Sequence, residues 1–262
     1  MKRNIGIIIL LLLFGLLSNC DKPNASPSPN IICIPSNLQK GIIAFYPFSA
    51  GSINDFSGNN NNLNNTTTAS PGADRNGNNS CAYNFVRANG DFLKFTNPTF
   101  INNFQSAAFS ISLWYRPLGN RKGGDYELLI GRDSSLHCPD TYGQWSVGLY
   151  DCRRAVFGIN QFSIWDSYVN SNRCDNTASD LSNVWQYLVV TCMGTTLKIY
   201  RNGVLTSLSA GTGCGINTPT INAGNLFLGK EYTGLLDDII IYNRILTQSE
   251  ITQLYNLQAC CQ

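Results

Sequence analysis

The stretch GLLDDIIIYNRILTQSEITQLYN, residues 234–256, changes hydrophobic period partway along, from that of a strand to that of a helix. From Leu235 to Tyr242 the β-branched run Ile239, Ile240, Ile241 suits a pleated surface. Side chains alternate across a regular strand, so Asp237 and Asp238 are expected on opposite faces, one of them pointing inward. Thr247 with Glu250 three residues on has the form of a capping box, and Ile251, Leu254 and Tyr255 follow at helical spacing. A long strand followed by a short helix packed on a sheet is therefore expected to close the chain.

Upstream, apolar runs recur between turn residues, as in an all-β sandwich rather than a protein of alternating strands and helices. The expected strands are Ile42 to Phe48, Ala82 to Phe85, Phe92 to Thr96, Phe109 to Arg116, Glu127 to Arg132, Trp145 to Tyr150, Ala155 to Ile159, Trp185 to Thr191, Leu197 to Arg201, Asn225 to Gly229 and Leu235 to Tyr242. Phe109, Ile111, Leu113 and Tyr115 alternate with Ser110 and Ser112, which assigns the first set to the core. Asn202-Gly203 is the strongest hairpin signal, because both residues tolerate the positive φ of a type I′ turn. Residues 59–65 and 70–79 read as irregular polar segments, and 133–182 contains long polar stretches around its two expected strands.

The chain resembles the laminin-G-like jelly rolls of the concanavalin A-like superfamily, as found in bacteria. The likeness rests on Gly234, Leu236, Asp237, Asp238, Ile239, Ile241, Tyr242, Asn243, Arg244, Leu246, Thr247, Glu250, Ile251, Leu254 and Tyr255. Gly41-IIAFYPF-Ser49, residues Asn54 to Asn59, Ala108-FSISLWYRP-Leu118, Trp185-QYLVV-Thr191 and Leu197-KIYRNG-Val204 extend it over most of the chain. It implies an all-β, concanavalin A-like antiparallel sandwich with a short C-terminal helix, occupying residues 41–262. First and last strands lie side by side in that fold, which suggests pairing of Cys33 with Cys260 or Cys261.

The first residues point to export. Lys2 and Arg3 precede an apolar run from Ile5 to Leu17, and Leu17-Ser18-Asn19-Cys20 resembles the lipobox of bacterial lipoproteins. Residues 1–19 are thus expected to be a signal peptide, and 20–40 a lipidated Cys20 followed by a proline-rich tether. The expected location is the bacterial envelope, at the outer membrane or cell surface, with the membrane as a partner. After Cys20, nine cysteines are disulfide candidates: Cys33, Cys81, Cys138, Cys152, Cys174, Cys192, Cys214, Cys260 and Cys261. Nine is odd, so at least one thiol is unpaired or pairs between chains.

A net charge of +2 with 13% charged residues and no basic stripe gives no argument for nucleic acid. Relatives that hydrolyse glycosides need two carboxylates about 5–9 Å apart. Glu127, Glu231 and Glu250 are the only glutamates, none in such a pattern, and the lone His137 has no partner motif. No enzyme chemistry is expected. The resemblance also implies a calcium site with Asp55 and Asp237, and Asp238 beside it, as charged ligands and Asn60 or Asn62 with nearby carbonyls completing the shell. The competing reading has Asp55 capping a turn and Asp237 accepting from buried backbone N–H groups. Among the aromatics Tyr142, Trp145, Tyr150, Trp165 and Tyr168, Trp145 reads as core, while Trp165 and Tyr168 with Asp166 and Asn170 form a candidate ligand-binding group. The expected activity is recognition of a carbohydrate or an extracellular protein, the alternatives being a structural envelope lipoprotein and, last, a glycoside hydrolase.

Overall fold

The computed structural model describes residues 33–105, 107–119, 124–132, 145–150, 153–159, 162–166, 182–207 and 224–261. In chain order its elements are α1 (Ser36–Gln39), β1 (Ile42–Tyr46), β2 (Ser70–Gly72), β3 (Ala82–Phe85), β4 (Leu93–Phe95), β5 (Phe109–Pro117), β6 (Tyr126–Arg132), β7 (Trp145–Tyr150), β8 (Arg154–Ile159), β9 (Phe162–Trp165), β10 (Gln186–Met193), β11 (Thr196–Arg201), β12 (Val204–Ser207), β13 (Leu226–Leu228), β14 (Gly234–Tyr242) and α2 (Gln248–Tyr255). An eight-stranded sheet runs β12-β11-β10-β5-β14-β3-β2, with β1 also on β14, and faces a six-stranded sheet β4-β13-β6-β7-β8-β9. Each of the eleven strands expected from sequence is present. Beyond these stand β12, the second arm of the Asn202-Gly203 hairpin, and two strands that expectation missed: β2, with proline at its centre on a sheet edge, and β9, a run of only four residues.

The core between the sheets takes Phe109, Ile111, Leu113 and Tyr115 from one side and Trp145, Val147 and Leu149 from the other. Ser110 and Ser112, on the opposite face of β5, are buried as well. A second apolar cluster explains this: Leu38 of α1, Ile251 and Leu254 of α2, and Tyr187, Val189 and Tyr242 cover the outer face of the larger sheet. The serines are satisfied beneath it, Ser110 Oγ donating to the Arg244 carbonyl at 2.8 Å and Ser112 Oγ pairing with Tyr187 Oη at 2.8 Å.

Local sequence signals hold where the chain turns. Asn202 and Gly203 adopt φ of 50° and 80°, as a type I′ hairpin requires. At α2, Thr247 accepts from the Glu250 amide while Glu250 accepts from the Thr247 amide, completing the capping box.

Two disulfides lock the chain ends, Cys33–Cys260 and Cys81–Cys261. Residues 33–40, read from sequence as part of a tether, therefore belong to the folded unit, with Ile34 and Leu38 buried. Cys192 is corrected from disulfide candidate to free thiol: it lies in the core between the sheets. Burial pushes that thiol up to about 12, so native protein should leave Cys192 unlabelled by iodoacetamide and denatured protein should label it. Mass mapping that finds Cys192 labelled in the native state would contradict this placement. Cys20, Cys138, Cys152, Cys174 and Cys214 lie outside the described residues.

Candidate functional site

The regular alternation of β14 breaks in its middle. Its pairing with β5 shifts register between Asp237 and Ile240, and Asp238 takes a left-handed φ of 44°. The extra residue brings two neighbouring carboxylates to one place, contrary to the opposite faces expected of a regular strand. Arg75 Nη1 lies 2.8 Å from Asp237 Oδ2 and 2.7 Å from Asp238 Oδ2, with both aspartates buried.

The loop between β2 and β3 presents this arginine. Asp74 fixes the loop, its Oδ1 accepting from the amides of Asn76 and Asn78 at 2.8 Å each. The Arg75 guanidinium then lies 4.5 Å from the centroid of Trp114 and donates through Nη2 to the Leu257 carbonyl at 3.3 Å. Asp238 Oδ2 also accepts from the Cys260 amide at 3.1 Å. The acid pair and its arginine thus hold the C-terminal tail. Burial, then the adjacent Asp238 charge, pushes the Asp237 carboxyl well above the usual carboxylate range, against the pull of Arg75. Asp237 Oδ1 and Asp238 Oδ1 are buried with no hydrogen-bond partner among the described residues.

Above this ion cluster is a surface cleft of about 420 Å³. Trp114, Trp185 and Tyr255 supply its aromatic surface, and Asn76, Asn256 and Gln258 its polar rim. Trp114 and Tyr255 are stacked with centroids 5.7 Å apart. Across the cleft, Asn76 Nδ2 donates to Gln258 Oε1 at 3.0 Å, and the Cys81–Cys261 bridge ties together the two walls from which these residues project.

The expected calcium ligands do not fit a dication. Asp55 Oδ1 accepts from the amides of Phe45 and Ser57, and its Oδ2 from Ser57 Oγ and the Asn61 amide. Asp55 is thus the turn cap of the competing reading. Asn60 is exposed with φ of 61°. Asp237 and Asp238 already share a guanidinium, whose charge would repel a second cation. Among the described residues, Asp74, Cys81 and Cys261 are the one group of three acidic, histidine or cysteine ligands close enough for a metal, and two of them are joined in a disulfide.

Of the ligand-binding group expected around Trp165, only Trp165 and Asp166 are among the described residues. Asp166 is buried and accepts from Arg201, which donates in addition to Tyr115 Oη at 2.7 Å. Trp165 packs on Tyr150 and lies under the Arg154 guanidinium. His137, Tyr142, Tyr168 and Asn170 are outside the described residues. Trp145 is core, as read. Other acids are similarly engaged: Glu127 with Arg153 at 3.1 Å and Glu250 with Arg244 at 2.8 Å. Burial raises the Glu127 carboxyl while Arg153 opposes the shift.

A two-sheet antiparallel sandwich with these connections defines a jelly-roll domain. The chain matches the laminin G model described as the concanavalin A-like lectin/glucanases superfamily over residues 87–252, and belongs to that family. Among solved structures, it superposes on botulinum neurotoxin type C, studied for cell entry dependent on two ganglioside molecules, with a TM-score of 0.64 and 20% identity, over 84% of this chain and 52% of that one. The binding domain of botulinum neurotoxin DC in complex with rat synaptotagmin II gives 0.62 and 20% over the same shares. The binding domain of Paraclostridial Mosquitocidal Protein 1 gives 0.62 and 21%, again over 84% and 52%. The chain spans about half the length of these structures, and the likeness is one of fold. No curated protein sequence matches the chain.

Proposed function

We propose that the chain is a membrane-tethered, non-catalytic recognition module that binds saccharide at the Trp114–Trp185–Tyr255 cleft. The observation that carries this reading is the contrast between the cleft and the acids. Aromatic faces and side-chain amides line the cleft, whereas Asp237, Asp238, Asp166, Glu127 and Glu250 are each engaged by an arginine. A hydrolase needs a carboxyl pair facing substrate; a binding site needs stacking surface and neutral hydrogen-bonding groups. The solved neighbours named for ganglioside and synaptotagmin are in keeping with a jelly roll used for recognition. Purified full-length protein on a glycan array should give discrete positives. Trp185→Ala should lower their affinity at least about tenfold, the scale of one lost stacking contact, without moving the melting temperature. A blank array would return the reading to a structural envelope protein.

The anchor rests on Lys2, Arg3, the apolar run Ile5 to Leu17 and Cys20, all outside the described residues. On this reading the tether from Cys20 places the module at the surface of a bacterial envelope membrane, with its cleft available to an external ligand. Cys20→Ala should abolish incorporation of labelled palmitate and release the protein from the membrane fraction. Persistent label in the variant would rule out acylation at Cys20.

A further inference from the structure

We propose that the cleft selects neutral saccharides and discriminates against uronic and sialic acids, an inference that rests on the saccharide reading of the same cleft. Among the described residues, Arg75 is the only charged one lining the cleft. Its positive charge is turned down into the protein, onto Asp237 and Asp238, at 2.8 and 2.7 Å. Two carboxylates thus face one guanidinium, and Asp74 is close enough to add its charge to theirs. The field at the cleft floor is neutral to negative, and among the described residues no lysine or second arginine lines the wall to receive a ligand carboxylate.

What remains on offer is uncharged. Tyr255 and Trp185 present ring surface suited to the C–H face of a pyranose. Asn76, Asn256 and Gln258 present amides, each with a donor group and an acceptor oxygen for hydroxyls. Asn76 and Gln258 now bond to each other across the opening at 3.0 Å, so a bound sugar would exchange that contact for bonds to its own hydroxyls. An acidic sugar meets the same amides while its carboxylate loses water above the aspartates without gaining a cation.

The test is calorimetric titration of purified full-length protein with neutral hexose oligosaccharides and with the same backbones oxidised at C6 to uronic acids. The expected result is binding of the neutral series with the acidic series weaker by at least about tenfold, a ratio that shrinks in high salt. Asp238→Asn retains an acceptor for the Cys260 amide and removes one of the two carboxylates facing Arg75, so it should narrow that ratio severalfold. Asn76→Lys, at an exposed rim position and so safe for folding, should narrow it too. Equal or tighter binding of the acidic series by the wild type, or a ratio that Asn76→Lys leaves unchanged, would overturn the selectivity while leaving the saccharide reading intact. Absence of binding to both series and to the array would instead remove the saccharide reading itself.

Discussion

Arg75→Met is expected to destabilise the fold by about 3–5 kcal/mol, the range for removing one partner of a buried ion pair. The guanidinium answers two carboxylates that are otherwise buried, bridges to the Leu257 carbonyl, and lies over Trp114. Methionine replaces much of the packing volume but none of the charge, leaving the acid pair uncompensated under the tail. Urea denaturation should show a lower midpoint with little change in slope. Adding Asp237→Asn and Asp238→Asn to the variant should recover part of the loss, because the cost lies in the unpaired charges. A midpoint unmoved by Arg75→Met would mean that the acids are neutral and the arginine is dispensable. Because Arg75 supplies the cation at this junction, EDTA should leave wild-type melting unchanged; a calcium-dependent midpoint would place a metal here after all.

The same cluster sets a pH dependence whose sign follows from the raised carboxyls. Asp237, and with it Asp238, titrates in the fold above its unfolded value of about 3.9, chiefly through burial. Between the unfolded and folded values the native state holds more protons than the unfolded chain, so stability declines as pH rises through that window. The contribution is complete below the unfolded value and lost once the folded values are passed. Arg75→Met removes the main opposing influence and extends the window upward, so the variant should recover on mild acidification. Asp237→Asn should flatten the wild-type dependence.

The sandwich was legible because its signals are local. The strand runs, the Asn202-Gly203 turn and the Thr247–Glu250 cap each depend on residues within a few positions of one another. The acid cluster was not legible, because alternation holds only while a strand is regular and the bulge at Asp238 uses no glycine to announce itself. An adjacent aspartate pair in an otherwise apolar strand is the signal that could have been read, since aspartate tolerates the left-handed region better than a β-branched residue. Trp114 was readable as the one large aromatic out of phase with Phe109, Ile111, Leu113 and Tyr115, on the face opposite the core. What makes that face a site is the tail and the loop after β2, brought there by contacts far apart in sequence. The cation that meets Asp237 was not legible either, because Arg75 lies 162 residues away in the chain.

The largest loss of stability is expected from removing the two cystines together. Cys33–Cys260 closes a loop with a sequence separation of 227, which in the chain-entropy description restricts the unfolded chain by about 5 kcal/mol. Cys81–Cys261 has a separation of 180, but with the first bridge in place the second closes only the roughly 50 residues from Cys33 to Cys81, about 4 kcal/mol. Together these approach the whole stability of an ordinary domain, about 5–15 kcal/mol. The double variant Cys33→Ser, Cys81→Ser should therefore be largely unfolded at 37 °C, and each single variant should be folded with a clearly lowered melting temperature. The Cys81→Ser variant has a further consequence, because that bridge joins the Arg75–Asn76 wall of the cleft to the tail wall carrying Leu257 and Gln258. Saccharide affinity should fall in Cys81→Ser at temperatures where circular dichroism still reports a native sheet, and fall less in Cys33→Ser, whose tail stays tied to the loop. Equal binding losses in the two single variants would show that the bridges act only through global stability.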